Sequence, residues 1–420
     1  MAGAEFGWGS AGKLAAIVAA LRERHGERVR FAGLGSGLGR PVLGALDARD
    51  WTDVPEPGDG PAGEAALAAL LRERGVDAAV VVLDGLLAAR LEAVGCPVVY
   101  VDSLPFLWTE HDFVPSGVHT YCAQLCPSLP RQSWPVLRGI EALRWVEPVV
   151  GTYGAGGLDP VPGKAVLNVG GLRSPFTAED DDSYVELVLG PALRALRAAG
   201  FGQVVISGNV DPGLARVPHA GTHGLTVTAG RLDHGAFIEE LRTAELLVTS
   251  PGRTTLLEAA ALGQRAVVLP PQNFSQVMNA ADVADLVDPA VVVPWPAAVL
   301  DLAELARVRD QGEEGAVRLM YARIAAARRE PGTVAGPLAD ALGAAVAHVR
   351  RHDVRMGPFA GTDGSGAGTR GAGGARDTGG AGGARSVADA VDELIGKLTD
   401  GPAAGNRRDG SPLAAPVRAR

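Results

Sequence analysis

Residues 249–280 read Thr249-Ser-Pro-Gly252-Arg253-Thr254-Thr255-Leu-Leu-Glu258-Ala-Ala-Ala-Leu-Gly263-Gln-Arg-Ala-Val-Val-Leu-Pro270-Pro-Gln-Asn-Phe-Ser-Gln276-Val-Met-Asn279-Ala. An apolar strand, Leu246–Thr249, runs into a turn of small residues that opens a helix through Leu262, and Ala266–Leu269 is the next strand. Free N–H groups and the positive end of the helix dipole favour an anion at such a helix start. Glu258 lies one turn into the helix, facing the same side, where a carboxylate can hold two ribose hydroxyls. Gln276 and Asn279 follow the next strand at helix spacing and turn two amides to one crevice, which suits a hydroxyl-rich ligand.

The same alternation extends outward in both directions. Upstream, Ala165–Gly171 and Val204–Ser207 read as strands on either side of a helix at 184–199. In the first part of the chain, residues 1–8 read as a short strand and Lys13–His25 as a helix, with Leu14, Ile17, Val18 and Leu21 on one face. Arg28–Leu34, Ala78–Asp84 and Cys96–Asp102 follow as strands. The uninterrupted apolar run of Ala78–Asp84, repeated at Cys96–Asp102, fits parallel sheets covered on both faces. Strand–helix periods near 25–30 residues predict an α/β fold of doubly wound sheets. Residues 103–135, rich in Pro, Trp, His and Ser, break the rhythm and read as a long irregular loop of the kind that is functional or mobile.

The 249–280 segment resembles the C-terminal half of GT-B glycosyltransferases, especially the lipid II-forming N-acetylglucosaminyltransferases. Their pattern is small-Gly-x-[Ser/Thr]-x-x-Glu, then Leu-Gly-x-Pro, then Gln-x-x-Asn-Ala. Ser250, Gly252, Thr254 or Thr255, Glu258, Gly263, Gln276 and Asn279 match it, and Arg265 stands where Pro is frequent. The resemblance covers residues 165–290, and the first half by architecture only. It implies a GT-B fold, two Rossmann-like doubly wound domains facing across a cleft, with the matched residues on the diphosphate, ribose and sugar of a donor. The turn Gly7-Trp-Gly-Ser-Ala-Gly-Lys13 lacks the histidine of the cell-wall enzymes, which argues against a polyprenyl acceptor. The opening Phe6–Leu14 is similar instead to cytosylglucuronate and hydroxymethylcytosylglucuronate synthases. That similarity implies inverting transfer of glucuronate from UDP-glucuronate to N1 of cytosine or 5-hydroxymethylcytosine.

The domains expected are residues 1–155 for the acceptor, 160–330 for the nucleotide sugar, a crossing helix at 335–352 that braces the first domain, a disordered Gly/Ala/Arg linker at 357–385, and a small helix and tail at 386–420. Catalytic candidates are Asp102, His111 and Asp112, with Glu110 and Asp84 as further carboxylates. Donor-binding candidates are Gly9, Ser10, Lys13, Gly171, Arg173, Ser250, Gly252, Arg253, Thr254, Thr255, Glu258, Gln276 and Asn279. Lys13, Arg173 and Arg253 are the cations proposed for a glucuronate carboxylate. Lys13 is not a P-loop lysine, since Leu14 stands where Ser or Thr is required.

The 420 residues carry 39 Lys+Arg against 48 Asp+Glu, a formal charge of -9 that argues against nucleic acid. No apolar run approaches the ~20 residues of a membrane span. The three cysteines, Cys96, Cys122 and Cys126, fit a reducing compartment, and a cytoplasmic protein is expected. No cofactor or metal is expected, because the UDP-sugar is a substrate and His119, Cys122 and Cys126 lack a fourth ligand. A homodimer is compatible with this reading. The rivals are another UDP-sugar transferase, a nucleotide-sugar hydrolase or epimerase of the same fold, and a non-catalytic nucleotide-sugar-binding subunit.

Overall fold

The computed structural model describes residues 1–35, 37–43, 51–54, 61–126, 135–151, 157–177, 181–216, 222–310, 312–360 and 382–400. The first half contains β1 (Ala2–Gly3), α1 (Gly9–His25), β2 (Gly33–Leu34), β3 (Trp51–Thr52), α2 (Pro61–Arg74), β4 (Ala79–Val82), α3 (Gly85–Ala93), β5 (Val98–Asp102), β6 (Thr120–Gln124) and β7 (Leu143–Val146). Strands β1-β4-β5-β6-β7 form one parallel sheet and β2 pairs with β3. The Leu34 N–H donates to the Met1 carbonyl at 2.9 Å, laying β2 beside β1. The order is therefore 3-2-1-4-5-6-7, and direction reverses between β1 and β4, where open α/β sheets gather ligands.

The second half repeats the plan. It holds β8 (Val161–Gly170), α4 (Ser183–Ala198), β9 (Gln203–Gly208), β10 (Thr226–Gly230), α5 (His234–Thr243), β11 (Ala244–Thr249), α6 (Arg253–Leu262), β12 (Ala266–Val268) and α7 (Phe274–Leu286). Its parallel sheet runs β10-β9-β8-β11-β12, with the switch point between β8 and β11. Helices α8 (Leu302–Arg309), α9 (Glu313–Ala327), α10 (Gly332–His352) and α11 (Gly382–Asp400) complete the chain. The two halves face each other across a cleft, the arrangement that the resemblance implies. No described helix is long and apolar enough to cross a membrane.

Four local expectations change. Helix α1 starts at Gly9 rather than Lys13, because the small residues that read as a turn form its first turn. Smallness there permits contact with the other domain, since a Cβ on Gly12 would lie 3.0 Å from Thr254 Cγ2. The second strand is two residues long rather than seven, as Gly26–Arg28 is a 3-10 turn. Strand β6 sits inside the segment read as irregular, with Tyr121, Cys122 and Ala123 fully buried.

The fourth change concerns the crossing helix. Helix α10 packs on α4 and β12 of the second domain, burying Val334, Leu338, Leu342, Val346 and Val349. Helix α11 makes the return instead, packing on α1 and on β5–β7 of the first domain. Its Ala384, Val387, Ala388, Val391 and Leu394 join the core formed by Leu14, Ile17 and Leu21. Of the expected linker, 357–360 is a 3-10 turn that buries Phe359, and 382–385 already belongs to α11. The rest of it, 361–381, and the tail 401–420 lie outside the described residues.

Candidate active site

The C-terminal edges of the two sheets enclose a cavity of about 650 Å³. From the first domain come the loop after β1 and the start of α1 (Ala4–Ser10), the β4 end (Leu83–Leu86), and Tyr100, Ser103, Leu104, Leu107, Trp108 and Phe113 around the β5 end. From the second come Asn168–Phe176, His234, Ser250–Thr255, Glu258 and the amides of Gln272, Asn273, Gln276 and Asn279. Two leucines on the rim adopt left-handed backbone, Leu83 with φ 62° and Leu172 with φ 59°. That conformation costs a side-chain-bearing residue about 1–2 kcal/mol and concentrates at functional sites.

The start of α6 is built to receive something. No side chain caps it: its N-cap is Gly252, whereas α3, α5 and α7 are capped by Asp84, Asp233 and Asn273. Ser250, Gly252, Thr254 and Thr255 line the cavity there. Asn279 Nδ2 donates to the Pro251 carbonyl at 2.9 Å and so braces the turn from beneath. Asn168 Nδ2 reaches Thr249 Oγ1 at 3.0 Å and Thr255 Oγ1 at 3.4 Å, tying the β8 end to the same turn. The start of α1 is uncapped as well, and Gly9 and Ser10 line the cavity opposite. Ser10 Oγ is spent on the Ala4 carbonyl at 2.8 Å.

Glu258 is buried and lines the cavity beside His234. His234 Nε2 lies 2.8 Å from Glu258 Oε1, leaving Oε2 without a hydrogen bond from the described residues. Burial works against the charged imidazole, yet the bond to Glu258 and its charge outweigh that, so the pKa of His234 is raised. Sequence reasoning missed this residue. Its one signal was position, just after the Asp233 cap at the end of a short, half-polar edge strand. Asn168, Gln272 and Glu313 line the cavity too and were missed for want of any pattern. Burial lifts the Glu313 carboxyl to about 7.

Several candidates sit elsewhere than expected. Asp102 is fully buried, and its oxygens accept from Tyr121 Oη at 2.6 Å, Trp108 Nε1 at 2.8 Å and Leu104 N at 3.0 Å. Burial raises its pKa to about 6 against these bonds. It does not line the cavity; it anchors the loop after β5. Asp112 is spent on Thr109 N and Oγ1 at 2.8 and 2.7 Å. His111 is exposed near Glu110, outside the cavity. Asp84 does line it, half-buried, with Oδ1 accepting from Leu87 N at 3.0 Å. Burial raises its pKa.

The three cations are already committed. Lys13 lies one helical turn behind the cavity wall, fully buried, and its Nζ donates to Thr254 Oγ1 at 2.8 Å. Burial brings its pKa down to about 7. Arg173 turns its guanidinium to Asp182 at 2.7 Å and to the Asp181 carbonyl. Arg253 is buried between the Phe106 and Phe359 rings, with Nη1 on Asp282 at 2.7 Å and Asn279 Oδ1 at 3.3 Å. Its Nε and Nη2 are buried without partners. Gly171 presses so close to Gly7 that a Cβ would lie 2.4 Å from its Cα, so only glycine lets the two domains meet there. Gln276 Oε1 accepts from Gln272 N at 2.9 Å, holding the loop before α7.

No family model matches the chain, and no curated protein does. Among solved structures it is similar to MurG of Acinetobacter baumannii, 14% identical over 80% of this chain and 99% of that one, with a TM-score of 0.42. It is similar to spinosyn rhamnosyltransferase SpnG complexed with thymidine diphosphate, 15% identical over 80% of this chain and 97% of that one, TM-score 0.45. A third is Arabidopsis thaliana UGT89C1 complexed with UDP-L-rhamnose, 16% identical over 80% and 96% of the two chains, TM-score 0.45.

Proposed function

We propose that the chain is an inverting, UDP-sugar-dependent glycosyltransferase acting on a small-molecule acceptor. The observation that carries this reading is the uncapped, braced start of α6 opening onto the interdomain cavity, with Glu258 one turn further in. Backbone N–H groups there stabilise the negative charge that develops on a departing diphosphate. Glu258, held by His234, offers its second oxygen to the ribose hydroxyls. The bond from the anomeric carbon to the diphosphate oxygen breaks as the acceptor atom bonds the opposite face, through an oxocarbenium-like state.

The acceptor proton needs a base. Asp84 is our choice: it lines the cavity from the first domain, and its Oδ2 takes no hydrogen bond from the described residues. Burial raises its pKa, which strengthens it as a base. Water must be kept from the glycosyl cation, and the contacts of Gly7 with Gly171 and of Lys13 with Thr254 close the cleft beside the site.

The finer reading, glucuronate to N1 of cytosine, rests on the sequence resemblance. The side chains give it partial help: Lys13 and Arg173 already have partners, whereas Arg253, on the cavity wall, pairs with Asp282 through Nη1 and keeps Nε and Nη2 without one. The deciding experiment is titration calorimetry with UDP on the full chain and on Glu258→Ala. Binding that weakens about tenfold or more is expected for a lost charged hydrogen-bond acceptor, and unchanged affinity would refute the ribose role. Release of UDP from a UDP-sugar only when acceptor is present separates transfer from hydrolysis.

A further inference from the structure

We infer, on the strength of the transferase reading above, that the acceptor is a planar apolar molecule bearing one hydroxyl, a fused-ring phenol in chemical class, seated against Trp108 with Leu86 and Phe113 at the cavity mouth. The first observation is where exposed apolar surface lies. Large exposed hydrophobic side chains are few among the described residues, and two of them, Leu86 at 66% and Phe113 at 54% exposed, both line this cavity. Phe113 packs beside the residue that precedes Leu86: a Cβ on Gly85 would lie 3.6 Å from Phe113 Cδ1. Lone exposed leucines need no explanation, but a pair at a cleft mouth marks a binding surface.

The second observation is how Trp108 is held. Its Nε1 donates to buried Asp102 at 2.8 Å, so the polar end of the indole is satisfied within the protein. The rest of the ring lines the cavity with Leu104 and Leu107. This wall offers a flat apolar ligand area and stacking but almost no hydrogen bonds. Asp84, two residues before Leu86, is a first-domain carboxylate on the same cavity wall, placed to take the proton of a single hydroxyl; Glu5, also on the wall, already accepts from Gly37 N at 2.9 Å. A small polar base such as cytosine would leave Leu86 and Phe113 exposed and uncovered.

The test uses 2-naphthol and cytosine as competing acceptors, with UDP affinity measured first. Expected are UDP release stimulated by 2-naphthol above cytosine and, in a Leu86→Ser/Phe113→Ser double variant, a KM for 2-naphthol raised roughly tenfold or more with the KM for the UDP-sugar unchanged. Both side chains are exposed, so the double variant keeps its melting temperature. Turnover of cytosine with no use of 2-naphthol, while UDP still binds, would overturn the inference and leave the transferase reading standing. A double variant that loses only binding to phosphatidylglycerol vesicles, with acceptor KM unmoved, would also overturn it. Absence of UDP binding removes both readings.

Discussion

Lys13 and Thr254, 241 residues apart, are joined across the interdomain cleft by a 2.8 Å hydrogen bond from Nζ to Oγ1. Thr254 Oγ1 passes its own proton to the Gly9 carbonyl at 3.0 Å. The hydroxyl expected to touch the diphosphate is thus committed to the first domain, and the phosphate turn and domain closure are one structure. Burial lowers the Lys13 pKa to about 7, with the charge of Glu258 opposing that shift and that of Arg253 adding to it. An unfolded lysine titrates near 10.4. Between those values the folded chain holds fewer protons than the unfolded one, so stability rises with pH, by at most about 1.4 kcal/mol per unit. Urea denaturation from pH 7 to 10 should show that rise in the parent chain and a shallower slope in Lys13→Met. Parallel slopes would remove the buried amine from the account.

The His234–Glu258 pair predicts a different pH response. A histidine whose pKa is raised on folding adds stability that is fully present below its unfolded value of about 6.5. That contribution disappears as pH rises through the raised folded value. His234→Gln should lose the effect and, by freeing Glu258 to turn, weaken UDP binding several-fold. Calorimetry at pH 6 and pH 9 reads the affinities: the parent's falls with pH more steeply than the variant's. A parent affinity indifferent to pH would show that the imidazole plays no part in orienting Glu258.

Asp84 and Asp102 end adjacent strands and should respond oppositely to Asn substitution. Asp84→Asn keeps a cap for Leu87 N and removes the base. Turnover should fall about a hundredfold or more with UDP affinity and melting temperature kept. Asp102→Asn puts an NH2 group against the Tyr121 and Trp108 donors in a fully buried site. The expected cost is about 2–3 kcal/mol of stability, read as a lowered melting temperature. Full activity in Asp84→Asn would move the base elsewhere, with Glu313 the next carboxylate on the cavity wall.

Legibility followed the range of the forces involved. Strand–helix alternation is local, so the doubly wound plan of the first half could be read from residues 1–102, and that of the second half with the α6 turn from residues 165–280. Lys13, Arg173 and Arg253 carry the charges that a donor site wants, yet their partners, Thr254, Asp182 and Asp282, are chosen by folding. Asp102 illustrates the same limit: a strand-end carboxylate looks reactive until Tyr121 and Trp108 close on it. The crossing helix was misassigned because α10 and α11 are both amphipathic, and periodicity names a buried face without naming what it is buried against. Complementary charge offered a clue, since Asp389, Asp392 and Glu393 stand on α11 opposite Arg24, His25 and Arg144.

That helix yields the last prediction. Val387 on α11 is fully buried in the core shared with Leu14 and Ile17. At its start, a Cβ on Gly383 would lie 2.1 Å from the Glu147 carbonyl, so the first turn sits flush on the segment after β7. The flanking ion pairs are partly exposed and contribute little on their own; apolar contact holds the helix. Val387→Asp should therefore cost about 3 kcal/mol, whereas Glu393→Ala should cost under about 1 kcal/mol. Because α1 lies between α11 and the cavity, loosening α11 also frees the start of α1 opposite the phosphate turn. The variant should lose UDP affinity as well as stability, by calorimetry and thermal melting. A chain that melts early yet binds UDP as before would show that α11 serves the first-domain core alone.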